Sequence, residues 1–377
     1  MPEPIVLRAT FEPSTVAAIL EALGGETQLA LLHPDASAGE EHGLVEALRS
    51  QRLDADTMTL LSTSGSTGTP KRVELSRRAW RAHAEASVAH LELRADDRWL
   101  VTLPLAHTGG LSIVVRCHVA GAEVVLDAPA KLGPAFARHV ASHAGVTRLS
   151  LVPAQLACLL DAGLAPSRKL RSVLVGGQAA PPALVTRALD AGWPVVTSYG
   201  MTETCGMCVA SAIGERIASV GRPLKDVGLR LVDDKLELHS PARATRVHGA
   251  APFTSDGWLR TQDRATLTDA GLVLLGRADD VIVSSGHKID PLEVEAQLAT
   301  LPDVAACAVF GTPHEVHGAT VTALIVPRPG ADLEALRHPA PPALAAYKRP
   351  RRVIFVEALP MLPSGKLDRA SVRRLGG

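Results

Sequence analysis

Between residues 98 and 200 the chain repeats one pattern: a short β-branched or leucine-rich run, a turn, then an alanine-rich stretch with apolar residues at helical spacing. The runs are RWLVTLPL (98–105), AEVVLDA (122–128), RLSLVPA (148–154), SVLVGG (172–177) and PVVTSYG (194–200), and stretches such as AFARHVASHA (135–144) and AQLACLLDAG (154–163) lie between them. Strands alternating with helices in this way predict α/β layers with substantial parallel pairing. Ligands of such sheets sit beyond the carboxyl ends of the strands. Here those ends are LPLAHTGG, LVPAQ, GGQAAPP and SYGMTE, polar or glycine-bearing segments expected to converge on one cleft.

From about residue 219 the pattern changes. GLRLVDDKLELHS (228–240) and GLVLLGR (271–277) read as antiparallel strands with tight turns, one of them at Asp233–Asp234. After GRADD (276–280) the order is again strand, helix, strand: VIVSSGHKI, PLEVEAQLATL, VAACAVFG and TVTALIVP, followed by a proline- and alanine-rich patch at 338–346 and then RRVIFVEALP. The expected organisation is a large α/β N-terminal domain of layered sheets and helices over 1–278. A small α+β C-terminal domain over 279–377 would be joined to it by a hinge near Asp279.

Composition narrows the partners. Lys+Arg and Asp+Glu both number 39, so no net field favours nucleic acid or an anionic membrane. Aromatics at 3% also disfavour base-stacking platforms, leaving a small molecule as the expected partner. The N-terminal MPEPIVLRAT lacks a secretory pattern, and no run of about 18 uncharged apolar residues suits a spanning helix. Five scattered cysteines fit reduced thiols of a cytoplasmic protein. Cys205 and Cys208 form a CxxC without further ligands nearby, and are expected to be unpaired, partly buried thiols rather than a zinc site.

The segment LLSTSGSTGTPKRVELS (60–76) concentrates small hydroxyls and glycines before Lys71. Such a loop exposes backbone N–H groups and suits phosphate, although a surface turn has the same composition. It is neither a Walker A motif nor GxGxxG: Gly65 and Gly68 are three apart, and Lys71 is followed by Arg72.

Its companions decide between these readings. TSGSTGTPK (63–71), SYGMTE (198–203), WLRTQD (258–263), GRADDVIVSSGHKIDPLEVE (276–295) and LPSGKLDR (362–369) resemble, in order, the signature motifs of the adenylate-forming superfamily, the acyl-CoA synthetases and their relatives. The resemblance runs from about residue 60 to the C-terminus and implies roles residue by residue. Thr63, Ser64, Gly65, Ser66, Thr67 and Gly68, with the charge of Lys71, would hold the β- and γ-phosphates of ATP. Thr67 and Glu203 would help hold Mg2+, a hard cation suited to oxygen donors. Gly176, Gly177 and Gln178 fall on the adenine side, Tyr199 would pack on the base, and Ser198, Gly200, Met201 and Thr202 complete the second nucleotide motif. Asp263 would take the ribose hydroxyls, supported by Arg277. Lys366 would be catalytic, bridging carboxylate and α-phosphate as their negative charges meet. Rotation about Asp279 would then bring Gly286 and His287 to line the channel for CoA, one fold hosting two sites in turn.

Further stretches, LPLAHTGGLSIVVRCHVAGAEVVL (103–126), LSLVPAQLACLL (149–160) and VLVGGQAAPPALVTRALDAGWPVVTSYGMTETC (173–205), resemble the o-succinylbenzoate–CoA ligase branch of menaquinone biosynthesis. That branch implies His107 as a wall of the acyl pocket, with Gly109 and Gly110 leaving room for an aromatic acid. A second carboxylate on the acid would want a cation, and Arg116, Arg148 and His118 are nearby in sequence. Two departures stand out: Thr261-Gln262-Asp263 replaces the usual TGD, and the region ahead of the phosphate loop is short. Another aryl- or acyl-CoA ligase is the nearest rival reading. An amino-acid-activating domain lacks its expected aspartate near LAHTGG, and a non-catalytic nucleotide-binding protein would not need Lys366, Glu203 and Asp263 together. A homodimer is one assembly open to such a chain.

Overall fold

Three four-residue strands, Leu29–Leu32, Arg148–Leu151 and Ser172–Val175, are buried at every position. Continuous burial of this kind belongs to parallel strands covered on both faces. The computed structural model describes residues 4–25, 27–50, 52–63, 71–362 and 367–376. Its contacts divide into two units, one of Met1–Arg230, Glu237–Arg260 and Leu267–Val273, the other of Leu231–Leu236, Thr261–Thr266 and Leu274–Gly377.

The first unit holds two sheets. One runs in the order Ile5–Arg8, Leu29–Leu32, Thr57–Thr63, Lys71–Ser76, Arg246–His248. Its first three strands are parallel, with helices Pro13–Gly24 and Ala38–Ser50 in the connections, and its last two pair antiparallel. The short region ahead of the phosphate loop, in which sequence patterning identified no elements, is thus a βαβαβ unit completing a sheet. The other sheet has seven strands in the order Arg222–Pro223, Gly206–Ala210, Val195–Met201, Ser172–Val175, Arg148–Leu151, Arg98–Leu100, Glu123–Val125. The last five of these are mutually parallel, as the alternating pattern predicts. The run at 98–105 is shorter than expected: the strand stops at Leu100, and LPLAHTGG forms a turn and the first turn of helix Thr108–Ala120.

A buried charge network fixes the amino ends of three neighbouring strands. Asp97, with a fully buried side chain, accepts from Arg148 at 2.8 Å, Arg171 at 2.9 Å and the Thr147 hydroxyl at 2.5 Å. These residues stand at or just ahead of Arg98–Leu100, Arg148–Leu151 and Ser172–Val175. The opposite, carboxyl ends carry the segments expected to bind ligand. Helices Pro134–Ser142, Pro153–Asp161 and Pro182–Asp190 each begin with proline at the first turn, where its missing N–H costs nothing.

Besides Arg246–His248, residues 228–277 contribute four strands, Gly228–Val232, Lys235–His239, Leu259–Thr268 and Gly271–Arg277, which the two units divide between them. Asp233 and Asp234 both have positive φ, +49° and +62°, as a two-residue type I′ turn requires.

The second unit is built on the hairpin Val304–His314 with Gly318–Pro327, to which Arg352–Phe355 adds a parallel strand. The stretch VIVSSGHKI, read above as one strand, is instead a tight hairpin of Ile282–Ser284 with His287–Ile289. Ser285 and Gly286 take φ of +49° and +80° and reverse the chain, a cost that glycine lowers at the second position. Helix Pro291–Leu298 seals the core through Val294 and Leu298. No described helix is long and apolar enough to cross a membrane.

Candidate active site

The phosphate-loop segment is anchored by paired strand ends. Thr63 and Lys71 are antiparallel partners, and the Thr63 hydroxyl donates to the Lys71 carbonyl at 3.3 Å. Ser64, Gly65, Ser66, Thr67 and Gly68 lie outside the described residues.

In the seven-stranded sheet, Gly176, Gly177 and Gln178 follow strand Ser172–Val175, and Ser198, Tyr199, Gly200 and Met201 end strand Val195–Met201. A Cβ on Gly176 would stand 2.4 Å from Ser198 Oγ, so glycine here lets the two strand ends approach. The Ser198 hydroxyl donates to the Val175 carbonyl at 3.1 Å. Thr202 and Glu203 enter a single 3-10 turn, Thr202–Thr204, held by the Thr204 hydroxyl, which donates to Gly206 O at 2.7 Å and accepts from Met201 N–H at 3.1 Å. The Glu203 carbonyl accepts from Ala244 N–H at 2.7 Å, while its half-buried carboxylate forms no ion pair with a described residue. An oxygen donor so placed fits a hard divalent cation.

His107 precedes helix Thr108–Ala120, its carbonyl accepting from Gly110 and Leu111, and its ring lies 6.1 Å from that of His33. The neighbouring glycines have a packing role. A Cβ on Gly110 would fall 2.4 Å from Pro104 O, and one on Gly109 would fall 3.0 Å from Leu103 Cδ1. Their missing side chains let the helix sit on the 103–104 segment, and the space is filled by protein.

The structure also separates the three basic residues that lie near one another in sequence. Arg148 is committed to Asp97, at the amino ends of the strands. His118 is exposed in the last turn of its helix. Arg116 is 1% exposed, with no carboxylate in ion-pair distance among the described residues. Its Nε and Nη2 bind Ser112, its guanidinium stacks 4.6 Å from the Trp99 ring, and Nη1 has no hydrogen-bond partner among the described residues. Burial lowers its pKa to about 10, so it remains a cation. His83, also buried, has its pKa lowered to about 3, first by burial and then by the Arg116 charge, and is therefore neutral. A buried, incompletely satisfied guanidinium is costly unless an anion joins it. Helical spacing alone gives no sign that Arg116 differs from Arg148; a basic residue within an otherwise apolar helix, LSIVVRCHVA, is the available signal.

In the second unit, Asp263 and Arg277 come together. Arg277 Nη1 is 3.5 Å from Asp263 Oδ1, and its Nε and Nη2 each contact one oxygen of Asp279 at 2.8 Å. The Asp263 N–H donates to the Thr261 hydroxyl at 3.1 Å, which itself donates to Leu236 O at 2.7 Å. The altered TGD segment therefore keeps a positioned aspartate, with Gln262 exposed. Gly286 presents open space at its Cβ position, and His287 stacks on Tyr347 with centroids 4.4 Å apart.

Lys366 lies outside the described residues, but its flanks are fixed: Met361 bridges Leu367, and Asp368 Oδ1 accepts from the N–H groups of Ala370 and Ser371 at the start of helix Arg369–Gly376. Arg369 joins the buried Glu295 at 2.8 Å and donates to Val309 O at 3.0 Å.

All five cysteines are free thiols. Cys205 and Cys208 are fully rather than partly buried. Burial pushes the Cys205 thiol well above its ordinary pKa and that of Cys117 up to about 12.

Fold and site together define a nucleotide-dependent enzyme, and the chain belongs to the AMP-binding enzyme family, whose model matches residues 8–246; the AMP-binding enzyme C-terminal domain matches 293–366. Among curated proteins it is similar to the probable 2-succinylbenzoate–CoA ligase of Mycobacterium tuberculosis, 36% identical over 96% of this chain and 94% of that one. The 2-succinylbenzoate–CoA ligase of Bacillus thuringiensis is 34% identical over 90% of this chain and 72% of its own length. Among solved structures, o-succinylbenzoate CoA synthetase (MenE) from Bacillus subtilis in complex with the acyl-adenylate intermediate OSB-AMP matches with a TM-score of 0.78 at 28% identity, over 98% of this chain and 83% of that one. The same enzyme in complex with ATP and magnesium ion matches with a TM-score of 0.81 at 27% identity, covering 97% and 88%.

Proposed function

We propose that the protein is an AMP-forming acid–thiol ligase that converts 2-succinylbenzoate, ATP and CoA into 2-succinylbenzoyl-CoA, AMP and pyrophosphate, a step of menaquinone biosynthesis carried out in the cytoplasm. The end-to-end likeness to 2-succinylbenzoate–CoA ligase, over 96% of one chain and 94% of the other, carries this reading. The buried Arg116 supports it, because a second carboxylate on the acid is the anion its free Nη1 lacks.

In this reading the 63–68 loop and Lys71 bind the β- and γ-phosphates, while Gly176–Gln178 and Ser198–Thr202 hold the adenine side. Asp263 accepts from the ribose hydroxyls, and Arg277 steadies it. Glu203 and Thr67 hold Mg2+, which when bound neutralises phosphate charge. His107 walls the acid pocket. The acid's carboxylate oxygen attacks the α-phosphorus, the bond to the bridging oxygen breaks, and pyrophosphate leaves. Lys366 stabilises the charge gathered there.

The 279–377 domain then turns about Asp279 relative to 1–278, so that the CoA thiol passes Gly286 and His287. The thiol sulfur bonds to the acyl carbon, its proton is lost, and AMP departs. A homodimer is the proposed assembly.

Pyrophosphate release with 2-succinylbenzoate, benzoates and fatty acids, each with and without CoA, tests the reading. Preference for 2-succinylbenzoate, with thioester formed only when CoA is present, supports it. Preference for a benzoate or fatty acid overturns the substrate, and the absence of pyrophosphate release with any of these acids overturns the enzyme class.

A further inference from the structure

Outside the nucleotide and acid segments, three metal-ligating side chains meet beside the edge strand Glu123–Val125 of the seven-stranded sheet. His139, in helix Pro134–Ser142, and His143, just past its end, are four residues apart and so project from one side. Asp127, two residues beyond the strand, faces both: its Oδ2 lies 3.6 Å from His139 Nδ1 and 3.3 Å from His143 Nε2. The two rings are 4.9 Å apart between centroids, and one donor atom from each of the three residues fits within a 4.8 Å span.

Those separations are long for N–H···O hydrogen bonds, which cluster near about 2.9 Å. They match the edge of a coordination tetrahedron: ligands at about 2.0–2.1 Å from a zinc ion stand about 3.3 Å from one another. The tautomer agrees. His143 Nδ1 lies 2.8 Å from the His139 carbonyl, which can only accept, so Nδ1 carries the proton. Nε2 is then the ring atom turned towards the Asp127 carboxylate, available to a cation held between the two. An imidazole N–H bound to a backbone carbonyl is also the usual outer support of a metal-ligating histidine.

The His139 ring is only 10% exposed, so its Nδ1 faces the Asp127 carboxylate from a largely water-free position.

We propose that Asp127, His139 and His143 form a binding site for a borderline divalent transition-metal ion such as zinc, tying the segment after the edge strand to the end of helix Pro134–Ser142. Two imidazoles and one carboxylate select such ions over the hard Mg2+ of the nucleotide site, and water completes the tetrahedron. None of the three residues takes part in the proposed acid activation.

The test is zinc titration of the full chain after removal of metal by chelator, with cobalt substitution read by its visible spectrum. One ion per chain is expected, with a tetrahedral cobalt spectrum and a Tm raised by zinc. His143→Ala and Asp127→Asn each weaken binding by at least about tenfold and abolish the Tm rise. Asp127 is exposed, so its conservative variant keeps the test clear of misfolding. No saturable binding, or binding of equal affinity in these variants, overturns the site.

Discussion

Arg277 grips Asp279 through two parallel contacts of 2.8 Å while its remaining nitrogen reaches Asp263 at 3.5 Å. The residue proposed to steady the ribose is thus oriented by the residue proposed as the hinge. Bidentate arginine–carboxylate pairs fix direction as well as charge. Asp279→Ala is expected to raise the KM for ATP about tenfold, from the roughly 1.5–3 kcal/mol of a charged hydrogen bond, with a smaller effect on the KM for the acid. An unchanged KM for ATP would separate the two roles.

Arg116→Met should raise the KM for 2-succinylbenzoate by about 10–100-fold through the lost charged hydrogen bond, and should affect acids with one carboxylate far less. Tm should hold or rise, because an apolar side chain replaces a buried cation that has no carboxylate in ion-pair distance among the described residues. Equal losses for one- and two-carboxylate acids would remove Arg116 from the acid site.

Lys366→Ala is expected to lower adenylation by about 10²–10³-fold while leaving transfer from a supplied acyl-adenylate to CoA close to wild type. Pyrophosphate release and thioester formation measure the two steps separately. Loss of both contradicts the assigned role.

Asp97→Asn should cost about 3 kcal/mol and lower Tm by roughly 6–12 °C, since it breaks a buried charge network across three strands. Burial works to raise the Asp97 pKa, but Arg148, Thr147 and the Arg94 N–H outweigh it, so the carboxyl titrates below its ordinary value. Its contribution is present above the unfolded pKa of about 3.9 and is lost as pH falls through the lower folded value. The stabilities of wild type and variant should therefore begin to draw together below about pH 3.9 and coincide only below the lower folded value of Asp97.

Gly110→Ala places a methyl 2.4 Å from Pro104 O and should destabilise the fold by about 1–3 kcal/mol. Thermal unfolding checks this. A variant that changes acid preference at unaltered Tm would restore the pocket-room explanation.

Much of this was readable in the chain. The parallel strands from 98 to 201 announce themselves because each is a short apolar run closed by a turn former, and the nucleotide motifs stand at their ends. Local pattern failed where geometry depends on distant partners. Arg116 and Arg148 are both arginines among apolar neighbours, and Asp97, some fifty residues away in sequence, decides which one is already paired. Gly109 and Gly110 invite a reading as open space, but a Cβ there would meet the Leu103 side chain at Gly109 and the 103–104 backbone at Gly110. VIVSSGHKI lacks the Asn-Gly or Asp-Gly signal of a two-residue hairpin, so its reversal at Ser285–Gly286 was hidden in a strand-like run.

The buried thiols bear on chemical selectivity. An acyl-adenylate is a mixed anhydride that any thiolate can attack, and an enzyme handing it to CoA carries competing sulfur of its own. Cys205 and Cys117, held protonated by their apolar surroundings, offer almost no thiolate near neutral pH. The same packing that supports the sheet thus withholds these two sulfurs from acylation, and favours the incoming cosubstrate over them as nucleophile.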